Sequence, residues 1–312
     1  MALLPGDDGP YVFASAVPSP GGMSLLDYLA GRFTYRDRDE WLDRICQGDV
    51  LVEGDPHPKP DRPLVCGEKV ECVHRDYVEP EVPTDWRIVA LGDEWLAVDK
   101  PSGMPVHSTP RVYRQSLVWQ VRRLWGPDWS PVHRIDRDTS GLVLFARGPR
   151  LPGWLNRAFE HRRVEKAYLA RVHGIVASPL RAEGPIGPAQ DPQIPLRQTV
   201  RPDGKEARTE IIPLAVGPDG TTWVLARPFQ GRMHQIRVHC LSLGHPIVGD
   251  LLYDGHQGQG YKQRSGKVPG FEPIERLQLH AFQLEFHPAP PGTLPAMLRC
   301  ASETFPFLPV SC

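Results

Sequence analysis

The eleven residues from His133 to Val143, HRIDRDTSGLV, constrain this chain more than any other stretch. They set one acidic side chain, Asp136, between Arg134 and Arg137, directly ahead of a Thr-Ser-Gly turn and an apolar run. Opposite charges close by favour the ionised carboxylate, even beside a polyanion that would otherwise raise its pKa. Two readings fit such a cluster. One is a surface loop whose ion pairs are simply satisfied. The other is a carboxylate kept charged for chemistry.

A chain of 312 residues is long enough for one large core and a smaller one. No run approaches the roughly 18 apolar residues of a spanning helix, so no membrane partner is expected. The N-terminus, MALLPGDDGP, has no basic stretch ahead of an apolar one, so the expected compartment is the cytoplasm. The six cysteines include no C-x-x-C pair and read as reduced thiols. His234 and His239 lack the H-E-x-x-H arrangement, so no metal site is expected. The segment HQGQGYKQRSGK, His256 to Lys267, is not a phosphate loop. Five residues rather than four separate Gly260 from Gly266, and Val268 stands where Ser or Thr is needed, so a surface loop is expected.

The formal net charge is −1, but its distribution is uneven. Ser130 to Val172 carries nine Lys/Arg against four Asp/Glu, and Arg227 to His239 carries three arginines and no acid. Gly22 to Arg75 carries eight basic and eleven acidic residues. A polyanion would therefore meet the middle of the chain rather than its N-terminal part.

Residues 1–21 are rich in Pro and Gly and read as a flexible arm. From 22 to 76 a small domain is expected. Leu25, Leu26, Leu29 and Phe33 recur at helical spacing, as do Trp41, Leu42 and Ile45, while GDVLVEG and VCGEKVECV alternate like strands. Residues 77–87, with Pro80 and Pro83 among acids, read as a linker. The large domain, 88–312, opens with the strand-like WRIVALGDEWLAVDK.

The HRIDRDTSG segment resembles the signature of the RluA-type pseudouridine synthases, and further motifs follow in family order. VEKAYLARVHG (Val164 to Gly174) resembles the second and GRMHQIRVH (Gly231 to His239) the third, the latter running on into LGHPIVGDLLY. VDKPSGMPVH (Val98 to His107) resembles the opening strand and loop, and LQLHAFQLEFHP (Leu277 to Pro288) a closing strand. The resemblance spans roughly 88 to 290. It implies an α+β fold with a mixed, largely antiparallel sheet and a cleft across its centre. It also implies isomerisation of uridine to pseudouridine in structured rRNA or tRNA, with no cofactor and no nucleotide, by a monomer.

By the same resemblance Asp136 is the catalytic carboxylate, Tyr168 lies under the target base, and Arg237 pairs with Asp136. Arg134 fills the stack vacated by an everted base, and His133 and Thr139 belong with it on the RNA side, chiefly holding the loop. These residue types suit the reaction. A carboxylate can attack carbon 1′ or support oxocarbenium-like charge, as in glycosidases. The segment IRVHCLSLG suits a helix ending at Gly244, which would mount Arg237 rigidly. Base eversion costs roughly a few kcal/mol, and a planar guanidinium can stack on bases and bind phosphate.

The small domain at 22–76 resembles a degenerate S-four-like, ribosomal-protein-type RNA-binding domain, with Asp37, Asp39, Glu40 and Asp43 offsetting its arginines. Two alternatives to the isomerase stay open. One is a catalytically silent RNA-binding paralogue acting in RNA folding or ribosome assembly. The other is a small-substrate glycosidase, which needs a second carboxylate about 5 to 9 Å from Asp136.

Overall fold

The computed structural model describes residues 9–75, 77–109, 111–192, 194–253 and 276–301. The loop expected at 256–267 lies outside the described residues. Two compact units divide the chain between residues 78 and 79.

The N-terminal unit runs β1 (Tyr11–Ala16), α1 (Leu25–Arg32), α2 (Arg38–Cys46), β2 (Val50–Val52) and β3 (Lys69–His74). Its helices start where short polar caps permit. Ser24 accepts from the Asp27 N–H, and Asp37 and Glu40 form a reciprocal capping box. Leu25, Leu29, Trp41 and Val50 are buried together between helices and sheet. Residues 11–16, expected within a flexible arm, are instead a strand paired antiparallel to β3 along its whole length. The prolines and glycines on either side of YVFASA mask its strand character in the sequence.

The second unit contains β4 (Arg87–Leu91), β5 (Trp95–Lys100), α3 (Leu117–Trp125), β6 (Ser130–Pro131), β7 (Ser140–Ala146), α4 (Leu151–Glu160) and β8 (Val164–His173). It continues with β9 (Leu180–Glu183), β10 (Ile186–Pro188), β11 (Gln198–Val200), β12 (Arg208–Val216), β13 (Thr221–Pro228), α5 (Gln235–Ser242), β14 (Leu279–Phe286) and β15 (Met297–Arg299). The main sheet has the order β4-β5-β7-β14-β8-β13-β12-β9, with β6 on β7 and β15 on β14. Every described pairing in it is antiparallel except β7 with β14. The fold is α+β.

Two large cores flank this sheet, and the first runs across the parallel seam onto Ala281, Leu284 and Phe286 of β14. In the first, Leu96, Val98, Val143 and Phe145 of β5 and β7 pack with Leu117 and Val121 of α3 and Leu155 of α4. In the second, Ala170, Val172, Val224 and Ala226 pack with Ile236 and Cys240 of α5. Burying a large aliphatic or aromatic side chain here stabilises the unit by roughly 1.5–3 kcal/mol. Tyr168 packs against both clusters.

The expected linker is only partly one. Glu79 is buried and its carboxylate accepts the backbone N–H groups of Tyr113, Arg114 and Gln115. An acid next to a proline reads as solvent-exposed in sequence, but three backbone donors offset the cost of burying it.

Candidate active site

Asp136 lies in the loop entering β7, and main-chain bonds fix that loop. The Thr139 N–H donates to the Asp136 carbonyl at 3.2 Å. The wholly buried Lys100, at the end of β5, donates to the carbonyls of Pro101 (2.9 Å), Met104 (2.7 Å) and Arg137 (2.9 Å). All three ammonium donors are thereby used, while burial brings the amine down to about 7. The Ser102 hydroxyl donates to the Asp138 carbonyl at 2.6 Å. At the seam, Ser140 donates to Nδ1 of the buried His280 (3.0 Å), whose Nε2–H donates to the Cys300 carbonyl (3.1 Å).

Gly141 completes the attachment. Its φ is +105°, and a Cβ there would stand 2.4 Å from the Ala281 carbonyl oxygen, so both backbone conformation and space require glycine.

Arg237 projects from the first turn of α5. The helix is buried all round rather than amphipathic, from Gln235 to Cys240. Its polar members are satisfied: Gln235 donates to the Arg208 carbonyl (2.9 Å), and Thr209 donates to His239 Nδ1 (2.8 Å). His234 caps the helix from the left-handed region (φ 55°), and Gly244 follows its end at φ 79°.

Arg237 forms the expected ion pair with Asp136, but a second and closer carboxylate partner accompanies it. That partner, which the sequence reading did not foresee, is Asp250, held bidentately with Nε to Oδ2 and Nη2 to Oδ1 both 2.7 Å. Asp250 also accepts from the backbone of Leu252 and Tyr253, each at 3.1 Å, and its side chain is wholly buried. Only Nη1 of Arg237 faces Asp136 Oδ2, at 3.7 Å. Burial works against the Arg237 charge, but the Asp250 carboxylate more than offsets it and the pKa moves up. The Tyr253 ring lies under the guanidinium, 5.0 Å away. Gln198 N–H donates to the Tyr253 oxygen, so its hydroxyl donates onward to His234 Nδ1 at 2.8 Å.

Tyr168 faces the same cleft from β8. Its cross-strand neighbours are Ala226 and Ala281, small residues that leave the ring uncrowded, and β14 bulges just after Ala281. Burial first, then the Asp136 charge, push the phenol pKa up. The phenol therefore stays protonated near neutrality, which favours an aromatic surface over a tyrosinate base.

One cleft of about 620 Å3 is lined by all six residues singled out in the sequence: His133, Arg134, Asp136, Thr139, Tyr168 and Arg237. They differ in character. Arg134 is exposed, whereas Thr139 is buried. His133 is committed to the protein, in keeping with the expectation that it chiefly holds the loop. Its Nε2 accepts the Leu144 N–H (3.0 Å), its ring stacks on Phe159 (5.0 Å), and burial drops its pKa to about 3.

Sequence reasoning assigns no role to Asp250 or Lys100. A signal exists for each: an arginine within a segment as apolar as IRVHCLSLG calls for a buried carboxylate, and Lys100 directly ends an apolar strand. Among the described residues two donor groups come close enough to share a cation, Asp99 with His280 and Cys300, and Glu165 with Glu285 and His287. Neither lines the cleft, and His280 already uses both ring nitrogens. No described helix is long and apolar enough to cross a membrane.

A family model for RNA pseudouridylate synthases matches residues 94–242, which include the Asp136 loop, β8 and α5. An uncharacterized RNA pseudouridine synthase of Synechocystis is 33% identical over 266 residues, covering 84% of this chain and 88% of that protein. The dual-specificity RNA pseudouridine synthase RluA of Vibrio parahaemolyticus is 36% identical over 219 residues, covering 67% and 82%. The solved structure of human RNA pseudouridylate synthase domain containing 1 matches with a TM-score of 0.58 at 29% identity, over 73% of this chain and 87% of that one. Identity at this level, across most of both chains and through the cleft-forming segments, makes this isomerase a member of the RluA-type RNA pseudouridine synthase family.

Proposed function

We propose that the protein isomerises a specific uridine in structured rRNA or tRNA, with Asp136 as the catalytic carboxylate. The observation that carries this is the Asp136 carboxylate standing in the cleft opposite Arg237 Nη1, at 3.7 Å, with Tyr168 on the adjoining wall. The reaction breaks the bond from N1 to C1′, turns the uracil, joins C5 to C1′, releases the C5 proton to solvent and leaves a solvent-derived proton on N1. Its product is an isomer, so it consumes no outside reductant or energy. Asp136 serves either as nucleophile on C1′ or as base at C2′, and both roles need it charged and close to the sugar. Arg237, anchored by Asp250, supplies a fixed positive charge that need not reorganise during reaction.

Tyr168 offers its ring to the detached uracil, and Arg134, exposed at the rim, takes the place of the everted base. Substrates with splayed bases in loops or bulges suit such a cleft. The name of one relative, a dual-specificity RNA pseudouridine synthase, supports a proposal that does not narrow the RNA to one class. A cytoplasmic, monomeric enzyme remains part of it. So does the S-four-like reading of the N-terminal unit, supported by its two capped helices beside a three-stranded sheet. The glycosidase reading loses support from Asp250, whose oxygens are committed to Arg237 and to backbone N–H groups.

The test is Asp136→Asn in a tritium-release assay on C5-labelled RNA. Turnover should be abolished while RNA affinity and the thermal midpoint stay close to wild type. Retained turnover would overturn the assignment.

A further inference from the structure

The cleft has a side chamber of about 190 Å3, which shares Lys166, Gln230 and Arg232 with the Asp136 cleft and adds Arg162 and Phe229. Lys166 lies two residues before Tyr168 on β8, so both side chains leave the same face of the strand. Its ammonium donates to the Gln230 carbonyl at 2.8 Å. That carbonyl is itself well placed, because the Gln230 side chain accepts the Arg208 N–H at 2.7 Å.

Among the described residues no carboxylate pairs with Lys166. Its charged neighbour is Arg162, and burial together with that repulsion lowers the amine to about 8. Glu160, the acid on the chamber's lining, is exposed. Arg232 is steadied by donation from Nε to the Glu206 carbonyl at 3.0 Å. A half-buried cation lacking a counter-charge carries a desolvation cost, and an arriving anion reduces that cost. An RNA strand whose base rests on Tyr168 carries such anions within a nucleotide's reach.

We infer that the side chamber is a phosphate subsite, where Lys166, flanked by Arg162 and Arg232, holds a phosphodiester neighbouring the everted nucleotide. The inference rests on the proposed RNA substrate. A single bonded carbonyl leaves the Lys166 ammonium with two further N–H donors for phosphate oxygens. Two guanidinium groups at the sides add bidentate capacity. The chamber thus fixes the strand's register relative to Asp136 without reading a base.

The experiment uses the full chain with Arg162→Gln and, separately, Lys166→Met. The probes are unmodified transcribed tRNA and large-subunit rRNA. Each variant should flatten the plot of log Kd against log salt by about 0.7 to 0.9. Each should weaken binding about three- to tenfold at physiological salt. For Arg162→Gln, which alters an exposed side chain, KM should rise while kcat at saturating RNA stays within about twofold. Wild-type slopes in both variants, with turnover intact, would overturn the subsite and leave the isomerase reading standing. Flattened slopes with neither RNA isomerised by the wild type would keep the subsite and discard those substrates.

Discussion

The buried pair of Arg237 with Asp250 can be separated experimentally into what it does for folding and what it does for Asp136. Asp250 is wholly buried and makes two 2.7 Å bonds to Arg237. Removing one member of such a pair leaves the other charge uncompensated, at about 3–5 kcal/mol. Arg237→Met and Asp250→Asn should each destabilise the unit by that amount. At roughly 2–4 °C per kcal/mol for a unit of this size, the thermal midpoint should fall by about 6–20 °C. The double variant should lose far less than the two single losses added. No lone charge remains in it, and the introduced amide oxygen can still accept the Leu252 and Tyr253 N–H groups.

Turnover should behave differently. The oriented cation opposite Asp136 is lost in the Arg237→Met and double variants, and kcat should fall about 10²–10³-fold in both, with no recovery in the double. Asp250→Asn retains the charge but frees it, so kcat should also fall while RNA affinity holds. Calorimetry and tritium release measure the two quantities. A double variant as unstable as the sum of the singles, or wild-type kcat in Asp250→Asn, would show that the pair does not work this way.

Two further outcomes concern the loop around Asp136. His133 is neutral and half-buried, its pKa lowered by desolvation from the ordinary 6.5 to about 3. Its share of stability is therefore full above pH 6.5 and is lost as pH falls toward 3, by roughly 1–3 kcal/mol at pH 4.5. His133→Gln should shrink the acid-side loss seen by urea unfolding, and an identical pH profile would contradict this. Gly141→Ala should cost at least about 3 kcal/mol, since positive φ and backbone overlap act together. A thermal midpoint within about 2 °C of wild type would show that the seam relaxes easily.

Much of the site is legible in the sequence because chemistry restricts residue type. Asp136, Tyr168 and Arg237 can be named from motif position, and the structure brings all three to one cleft. The strands β5, β8 and β14 are likewise readable from alternation or apolar runs. What stays hidden depends on partners distant in the chain. Asp250 is thirteen residues from Arg237, and nothing in GHPIVGD says that its carboxylate points inward. Glu79 and Lys100 are charged residues satisfied by backbone groups, which sequence patterns do not display. β1 is hidden for another reason: its partner, β3, begins more than fifty residues later, and its own flanks suggest a loop.

The motif around Asp136 also makes physical sense beyond its one carboxylate. Asp136 follows Ile135, which packs in the core of β5 and β7, whereas Arg237 follows Ile236, which packs in the core of β8 and β13. Their 3.7 Å separation therefore depends on how β7 meets β14, through the short parallel seam of Ser140–Gly141 with His280–Ala281. Ser140 anchors it through His280, and Gly141 permits the close approach. Thr139 turns the chain back toward Asp136. Tyr168, packed against both cores, sits where any slip between them would be felt first. The Thr-Ser-Gly residues thus act on geometry rather than chemistry: they hold the Asp136 loop against β14 in the relation that puts a carboxylate in front of its guanidinium.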